Sequence, residues 1–338
     1  METKVLLKVC NLKKYFDLRE TILESFFSKK GRYLKAVDGI DLDIRDGEIF
    51  SLVGESGCGK TTTGRLIMNS IKPTSGEVYF DNIDIFSIKN REEKKQMALK
   101  MQMIFQDPYE YLSPWLNVHR TLAEPLRIHN LVENKDEELS KIIEIMNIVN
   151  LTPVNMILPK HSYELSGGQR QRVIVARALL LNPKFIVADE PVSMIDISLR
   201  IGILNLLLSL RDEYSITILF ITHDIAIARY MSDRIGVMYL GKIIEKGPTN
   251  TIINKPLHPY TQALIAAVPV PDPSIKTQRN LIKGRITSAI DLPPGCRFAP
   301  RCIYSKNICL KEEPELRKIG EKHFVSCHLH NGENSDEI

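Results

Sequence analysis

The stretch GESGCGKT, residues 54–61, indicates the fold class of this chain. It fits the pattern G-x-x-x-x-G-K-[ST], in which glycines allow successive backbone N–H groups to converge on phosphate oxygens. An apolar run, EIFSLVG at residues 48–54, precedes it and a helix-like segment follows it. The loop would therefore lie at a helix N-terminus, whose dipole attracts anions. This context disfavours the competing interpretation, an ordinary glycine-rich turn.

The phosphate loop predicts a nucleotide-binding protein. Lys60 is expected to reach the β- and γ-phosphates, and the Thr61 hydroxyl is expected to coordinate Mg²⁺. The residues expected to bind the nucleotide are Gly54, Glu55, Ser56, Gly57, Cys58, Gly59, Lys60, Thr61 and Thr62.

An acidic strand end appears further along the chain, in FIVADEP at residues 185–191. An apolar strand that ends in Asp189 places a carboxylate at the C-terminal edge of a sheet, where a magnesium-bound nucleotide would lie. Glu190 adds a second carboxylate, suited to orient or deprotonate an attacking water. Such a pair alone is more often a solvated strand end, but together with the phosphate loop it predicts a catalytic site.

A third motif is LSGGQRQR, residues 165–172. A serine followed by two glycines at a helix start forms another turn that favours anions. One nucleotide does not need two such turns from one protomer. The motif therefore predicts a dimer in which each chain's second turn covers the γ-phosphate held by the other chain, whereas Ser-Gly-Gly alone would be a plain turn.

Composition places the chain among ordinary globular proteins. The 338 residues are 43% apolar and 25% charged, which excludes disorder along most of the length. A net charge of +4 argues against a dedicated nucleic-acid binder. No apolar run approaches the roughly 18–20 residues of a membrane span, and the N-terminus lacks a secretory apolar region. We therefore expect a soluble, intracellular chain.

The order of predicted elements indicates an α/β fold. Helix and strand alternate after residue 165, which implies a parallel sheet with helices on both faces. The predicted strands are residues 4–9, 36–44, 185–189 and 217–222, with helices at 167–181 and 197–213 and a hairpin over 235–247 that turns at Gly241–Lys242. Residues 107–164 are predicted to be mostly helical, with Leu139, Ile142, Ile143, Met146 and Val149 on one side of a helix. Residues 17–34 are predicted to form a hairpin insertion with a small helix, and frequent prolines beyond Pro256 predict an irregular tail.

Together these motifs resemble the ATP-binding cassette (ABC) ATPases over about residues 1–250. The resemblance rests on the phosphate loop, Gln106 before Asp-Pro, LSGGQ at 165–169, the acidic strand end, Asp196 and His223, in this order and spacing. It implies a P-loop cassette with a RecA-like core and an antiparallel β subdomain in residues 1–106 and 165–250. Residues 107–164 would be an inserted helical subdomain, and residues 251–338 a C-terminal extension.

The resemblance also implies roles for single residues. Tyr15 or its neighbour Phe16 would stack on adenine, Glu190 would be the general base, and His223 would contact the γ-phosphate, although a buried structural histidine is the alternative for His223. Gln106 would be the Mg²⁺-sensing and coupling residue, and Thr61, Gln106 and Asp189 would be the Mg²⁺ ligands. The remaining assignments are the signature acting across the dimer, Ser166, Gly167, Gly168 and Gln169, and the dimer loop with Asp196. In that loop Ser193–Met194–Ile195–Asp196 replaces the usual Ser-Ala-Leu-Asp, so Met194 is expected to alter packing at the dimer interface.

The tail contains four of the six cysteines, within its last 43 residues. In a reducing compartment such a cluster favours a metal site over disulfides. The spacing C-x5-C-x6-C-x17-C does not favour a zinc ribbon, and four cysteinates suit a cubane iron–sulfur cluster. Zinc, with His328 or His330 as substitute ligands, and four unligated thiols remain alternatives. The expected ligands are Cys296, Cys302, Cys309 and Cys327.

The tail also resembles the C-terminal region of ATPase subunits from dipeptide and oligopeptide importers. PLHPYTQALIAAVPVPDP at 256–273, LPPGCRFAPRCIYSKNIC at 292–309 and Cys327–His328 carry this resemblance, which implies a [4Fe–4S] cluster. The implied protein is an ATP-hydrolysing importer subunit on the cytoplasmic face of the membrane. Its partners would be a second ATPase (a paralogue rather than a copy of itself), two transmembrane permeases and an extracytoplasmic solute-binding protein, with no nucleic acid. The alternatives are an oligosaccharide or nickel importer, a soluble non-transport cassette ATPase, and a redox-sensing role for the tail.

Overall fold

The computed structural model describes residues 4–18, 33–107, 111–268, 282–283, 289–290 and 292–330. The strands are β1 Val5–Asp17, β2 Tyr33–Arg45, β3 Ile49–Val53, β4 Ser75–Phe80, β5 Ile83–Asp84, β6 Met101–Ile104, β7 Phe185–Asp189, β8 Thr217–Thr222, β9 Arg234–Tyr239, β10 Lys242–Pro248, β11 Arg317–Gly320 and β12 His323–Val325. The helices are α1 Lys60–Ile67, α2 Arg91–Lys100, α3 Val118–Ile128, α4 Lys135–Ile148, α5 Val154–Ile157, α6 Gly167–Leu179, α7 Ile197–Tyr214, α8 Ile225–Met231, α9 Thr249–Asn254, α10 Pro259–Ala266 and α11 Asn307–Lys311, with 3₁₀ turns at Ser162–Glu164 and His328–His330. The small helix predicted within residues 17–34 lies almost wholly outside the described residues.

Two compact units make up the described chain. The phosphate-loop unit comprises Val5–Ile44, Ile49–Phe86 and Ile221–Ile338, and the helical unit comprises Met1–Lys4, Arg45–Glu48 and Ser87–Phe220. Each unit has its own buried apolar residues, and each is described separately below. In the part of the chain that the structure describes, no helix combines the length and apolar character that crossing a membrane requires.

The phosphate-loop unit contains two groups of strands. One is an antiparallel sheet in the order β2-β1-β4-β5, whose first two strands are longer than the predicted 36–44 and 4–9. In the other, the strand order is β11-β12-β10-β9-β3, and β3 runs parallel to β9 with Val53 opposite Val237. Every residue of β3 is buried, as expected for a strand covered on both faces.

The predicted hairpin over residues 235–247 corresponds to β9 and β10. Its turn lies one residue earlier than predicted, at Leu240 and Gly241, and β10 begins at Lys242. The φ angles of Leu240 and Gly241 are 41° and 84°. Positive φ at both central positions is typical of the two-residue turns that join hairpin strands. Glycine adopts this conformation at position 241 without steric cost.

The helical unit contains the predicted alternation of helix and strand. Strands β6 and β7 are parallel, with Met101 opposite Phe185, and α6 and α7 match the predicted helices within two residues at each end. Helices α3, α4 and α5 lie inside the segment 107–164 that was predicted to be helical. The inward face of α4 is narrower than predicted, because Leu139 and Ile143 are 39% and 38% exposed.

The C-terminal region is more regular than the sequence predicted. Strand β12 pairs antiparallel with β10, with Val325 opposite Glu245, and β11 pairs with β12. Phe298 is buried against Tyr239 and Tyr260 in the apolar cluster that this region shares with β9 and α10. The prediction of an irregular tail is therefore wrong for residues 317–325, because β10 offers an edge to which residues 323–325 add a strand, whereas residues 292–306 contain neither helix nor strand.

Candidate nucleotide-binding site

The phosphate loop of residues 54–60 joins β3 to α1. Gly57 and Gly59 have φ angles of 79° and 108°, a backbone conformation that disfavours other residues. A Cβ on Gly59 would lie 2.0 Å from the carbonyl oxygen of Ala36, and one on Gly54 would lie 2.2 Å from that of Met238. Glycine is therefore required at both positions for the loop to keep its shape at the start of α1.

Lys60 occupies the inside of this loop. Its side-chain Nζ donates to the carbonyl oxygens of Gly54 at 2.7 Å and Glu55 at 3.0 Å, and the residue is only 4% exposed. Ser56 and Gly57 are exposed at the tip, whereas Cys58 is buried. Burial raises the pKa of the Cys58 thiol, which favours its neutral form beside the Lys60 ammonium. The loop thus surrounds a cation with its backbone at a helix N-terminus, an arrangement suited to phosphate.

Tyr15, expected to face adenine, is held by its hydroxyl. The Tyr15 O–H donates to Oδ1 of Asp38, which also forms an ion pair with Arg297. Burial, together with the hydrogen bond to Asp38, raises the pKa of Tyr15 to about 12, so the phenol is neutral. Lys35 Nζ lies 5.4 Å from the centroid of the Tyr15 ring, whereas Phe16, the other expected candidate, is 38% exposed.

His223 follows β8 and is exposed. The alternative of a buried structural histidine is therefore excluded for this residue. The next residue, Asp224, begins α8 by accepting hydrogen bonds from the backbone N–H groups of Ala226 at 2.8 Å and Ile227 at 3.3 Å. This cap fixes the backbone immediately after His223.

In the helical unit, β7 ends in the two predicted carboxylates. Asp189 is 2% exposed, and Glu190 follows with a φ angle of 45°. The Gln106 side-chain amide donates to Oε2 of Glu190 at 3.4 Å. The structure therefore brings Gln106 and Glu190, two residues 84 positions apart in sequence, into contact.

The signature residues begin α6. Ser166 is the N-cap, and its hydroxyl accepts from the backbone N–H of Gln169 at 3.3 Å while the Gln169 side chain accepts from the Ser166 N–H at 3.0 Å. A Cβ on Gly168 would lie 3.2 Å from Leu199, and one on Gly167 would lie 3.8 Å from the carbonyl oxygen of Met194. The signature turn and the loop containing Asp196 are thus neighbours within one protomer.

An exposed apolar surface continues from this loop along α7. Met194 is 54% exposed, Ile197 78% and Ile201 61%. Asp196 immediately precedes α7 and is its N-cap residue. Met194, one of the two residues that depart from the usual Ser-Ala-Leu-Asp, therefore faces outward.

The predicted metal site in the tail is not confirmed. Among the described residues, no three His, Cys, Asp or Glu side chains lie close enough together to hold a metal ion. Burial raises the pKa of Cys296 to about 11 and that of Cys327 to about 12, and Cys309 Sγ accepts from the backbone N–H of Lys306 at 3.4 Å. The described residues therefore do not confirm the [4Fe–4S] or zinc site expected at these positions.

Sequence reasoning missed two arginines of the tail that reach the site. Arg301 donates through both Nη atoms to the Glu55 carboxylate of the phosphate loop, at 2.9 and 3.0 Å. Arg297 forms the ion pair with Asp38 that accompanies Tyr15. The only sequence signal was the placement of two arginines within the apolar stretch GCRFAPRC at 295–302.

A phosphate loop after a buried strand, together with an acidic pair at the end of another buried strand, defines the class of P-loop nucleotide-binding proteins. Residues 37–193 match the family described as ABC transporter, and residues 244–309 match the oligopeptide/dipeptide transporter C-terminal region. The chain therefore belongs to the ABC transporter family, in the branch that carries this C-terminal region.

Similar proteins align with almost the whole length of this chain. The oligopeptide transport ATP-binding protein AppF of Bacillus subtilis is 40% identical over 97% of this chain and 98% of its own. OppF of Salmonella typhimurium, another oligopeptide transport ATP-binding protein, is 39% identical over 96% of each chain. Among solved structures, the dimeric ATP-binding cassette MJ0796 bound to ADP and Pi is 30% identical, with a TM-score of 0.62 over 72% of this chain and 98% of that one.

Proposed function

We propose that this chain is the ATP-hydrolysing subunit of an ABC importer for di- and oligopeptides. The observation that carries the proposal is the presence, in one chain, of an intact phosphate loop and the oligopeptide/dipeptide transporter C-terminal region. Both AppF and OppF are named oligopeptide transport ATP-binding proteins. All the residues that hydrolysis requires are present, so this chain is expected to be active rather than a degenerate partner.

Each unit supplies part of the chemistry. In the phosphate-loop unit, the loop backbone and Lys60 would bind the β- and γ-phosphates, and His223 would contact the γ-phosphate. In the helical unit, Glu190 would accept the proton of the attacking water. When bound, Mg²⁺ would neutralise developing phosphate charge, and Thr61, Asp189 and Gln106 are its proposed ligands.

The proposed dimer partner would cover the exposed apolar surface around the Asp196 loop. Met194 and Ile197 are large apolar side chains that water would otherwise surround. The adjacent signature turn would then act on the nucleotide of the second subunit. A paralogous ATPase is our preferred partner.

The proposed permease contact lies on a groove of the helical unit. This groove has a volume of about 270 Å³ and is lined by Gln102, Met103, Phe105, Tyr111, Leu112, Pro125, Ile128, His129, Ile174, Arg177, Ala178 and Leu181. Phe105 stacks on Tyr111 inside it, with ring centroids 3.6 Å apart, and Ile128 at its rim is 63% exposed. An apolar groove rimmed by polar groups fits an amphipathic helix of a membrane protein. Binding there would hold the chain at the cytoplasmic face of the membrane.

Copurification and transport test this proposal. The tagged chain, purified from membranes of its own cell, should retain two polytopic permeases and a second ATPase, and the complex should hydrolyse ATP faster when a peptide-loaded binding protein is added to proteoliposomes. Addition of a nickel- or oligosaccharide-loaded binding protein is the matched control. A chain that hydrolyses ATP but retains no membrane protein would contradict the importer role.

We also propose that the four tail cysteines bind an iron–sulfur cluster. The support from the structure is that Cys296 and Cys309 are joined by a backbone hydrogen bond of 2.7 Å and that Cys296 and Cys302 pack against the same apolar cluster. Thiolate ligation would release four protons. Protein purified without oxygen should contain about four iron and four acid-labile sulfide per chain, and Cys302→Ser should lose both, whereas Cys10→Ser should not. Stoichiometric zinc without sulfide would contradict the cluster.

A further inference from the structure

We propose that residues 295–302, here called the arginine turn, position the nucleotide site, with Arg301 holding the phosphate loop and Arg297 holding Tyr15. The proposal rests on the ATP-binding function given above. It assigns to the oligopeptide-type C-terminal region a role inside the ATPase itself. All the contacts involved lie within the phosphate-loop unit.

Arg301 and Tyr260 together fix Glu55. The bidentate pair between Arg301 and Glu55 is charge-assisted, and Arg301 is only 6% exposed. Its guanidinium lies 5.8 Å from the ring centroid of Tyr239, on whose surface it is shielded from water. The backbone N–H of Glu55 donates to the hydroxyl of buried Tyr260 at 2.9 Å. Both the side chain and the backbone of this loop residue are therefore held by the C-terminal region.

Arg297 acts on the other part of the site. Its Nη2 forms the ion pair with Asp38, its Nη1 donates to the carbonyl oxygen of Leu240, and its Nε donates to Glu313 at 3.1 Å. Burial alone would raise the pKa of Asp38, but the hydrogen bonds from Tyr15 and Arg297 lower this pKa and keep the carboxylate ionised. An ionised Asp38 fixes the Tyr15 hydroxyl, and with it the orientation of the ring.

The turn that carries both arginines is itself rigidly held. Phe298 is buried, and its carbonyl oxygen accepts from the backbone N–H groups of Arg301 at 2.9 Å and Cys302 at 3.0 Å. The Cys296 N–H donates to the carbonyl oxygen of Cys309 at 2.7 Å, and a Cβ on Gly295 would lie 2.3 Å from that same oxygen. Fixed backbone on both sides means that the two guanidinium groups are presented in one geometry. Arg297 and Arg301 are therefore positioning residues rather than catalytic ones.

Separate binding of ATP and of its phosphate part tests the two roles. We would measure the Kd of the purified full chain for magnesium-ATP and for magnesium tripolyphosphate, which lacks the base and the sugar. Arg301→Met should raise the Kd values of both ligands by a similar factor, about tenfold, because the phosphate loop is no longer held by its ion pair. Arg297→Met should weaken the binding of ATP by about tenfold and that of tripolyphosphate much less, because Tyr15 loses its anchor through Asp38 whereas Arg301 and Tyr260 still hold Glu55 of the phosphate loop. A merely structural role would not separate the two ligands.

A double-mutant cycle shows whether Arg301 acts through Glu55. The variant carrying Arg301→Met and Glu55→Gln should bind ATP no more weakly than Arg301→Met alone, and Arg301→Lys should recover part of the affinity. Arg317→Met is the matched control, since Arg317 is an exposed arginine of the same region whose carboxylate partner, Glu315, is also exposed. It should bind both ligands like the wild type.

Three results would overturn the inference. Unchanged Kd values for both ligands in Arg301→Met and Arg297→Met would show that the turn does not position the site. Equal weakening of both ligands in every variant, or additive effects in the cycle, would show general destabilisation instead. If the wild-type chain itself bound neither ligand, the proposed ATP-binding function would fail first, and that outcome is visible without any variant.

Discussion

Glu190 has an uncommon backbone conformation for a residue with a side chain. Its φ angle of 45° lies in the left-handed region, which costs free energy at residues other than glycine. The backbone N–H and the hydroxyl of Ser193 donate to the Glu190 carbonyl oxygen at 3.1 and 3.0 Å, which stabilises this conformation. The side chain is thereby held beside Gln106, and the proposed role as general base would need such a fixed position.

Replacing Glu190 by glutamine should stop hydrolysis but not ATP binding. Glutamine keeps the size of the side chain but cannot accept the proton of water, so steady-state phosphate release should fall by about 10²–10⁴-fold. The Kd for ATP should stay within about threefold of the wild type. Phosphate release and ATP binding, measured on the same preparation, check both parts.

The control is Glu213→Gln, which makes the same change at an exposed position near the end of α7. It should hydrolyse ATP like the wild type. Rapid turnover by Glu190→Gln would refute the general-base assignment.

At the scale of single residues, the sequence predicted local motifs but not contacts between residues far apart in the chain. The phosphate loop is contiguous, so its glycines and Lys60 could be identified from spacing alone. Arg301 meets Glu55 across 246 positions, and Arg297 meets Asp38 across 259. No periodicity connects such positions, so these contacts appear only once the chain is folded.

Helix α4 shows where periodicity misleads at the scale of an element. Its existence and its inward residues Ile142 and Met146 were predicted from apolar spacing, and both residues are fully buried. Glu138, however, is 3% exposed and pairs with Arg127 at 2.6 and 2.7 Å, so a carboxylate occupies part of the inward face. Hydrophobicity alone cannot predict that a charged residue will be buried with a partner from another helix.

Helix α10 is capped by His258, which must be neutral to accept the capping hydrogen bond. The buried His258 accepts from the backbone N–H of Tyr260 through Nδ1 at 3.0 Å, which caps the helix. Burial lowers the pKa of His258 to about 4, with the charge of His330 adding to this and that of Glu245 opposing it. In the unfolded chain a histidine titrates near pH 6.5.

Acid should therefore destabilise the phosphate-loop unit through His258. The unfolded state binds the proton first, so the stability present above about pH 6.5 falls as the pH drops towards 4, by up to about 3 kcal/mol. His258→Asn keeps a capping side chain that does not titrate, so its free energy of unfolding should depend less on pH in this window. Urea unfolding at pH 7.0, 5.5 and 4.5 measures the difference.

His161→Asn is the matched control, since His161 precedes the turn Ser162–Glu164 and its side chain is 38% exposed. It should keep the wild-type dependence on pH. An equally steep loss of stability in His258→Asn would show that other groups cause the acid sensitivity.

At the scale of the whole molecule, the order of motifs was more informative than composition. Each motif alone permitted a plain turn or a solvated strand end, but their joint order along the chain predicted the cassette, which the family comparison confirmed. The tail was predicted to be irregular because its proline content is high. Its pairing of β12 with β10 joins residues about 80 positions apart, and a local pattern does not contain that information.

Two exposed isoleucines of the helical unit should separate the two kinds of partner. Ile197 is 78% exposed beside the Asp196 loop, and Ile128 is 63% exposed at the rim of the groove. Ile197→Asp should leave the permeases bound but lower ATP hydrolysis of the complex by about 10²-fold, because a charge would prevent closure against the second ATPase. The Ile128→Asp variant should instead be purified without the permeases.

Each variant is the control for the other. Both changes add one negative charge at an exposed isoleucine of the same unit, so general effects of charge or stability would move both readouts together. The measurement is a single affinity purification, scored for retained permeases and for phosphate release per ATPase pair, with thermal unfolding recorded for each variant. Retained permeases with Ile128→Asp would place the membrane contact elsewhere, and full hydrolysis with Ile197→Asp would exclude the α7 surface as the ATPase interface. If Ile128→Asp loses only the permeases and Ile197→Asp loses only hydrolysis, the helical unit contacts the permeases through one surface and the second ATPase through another. Two such surfaces on one unit are what the proposed transmission of ATP-driven closure to the permeases requires.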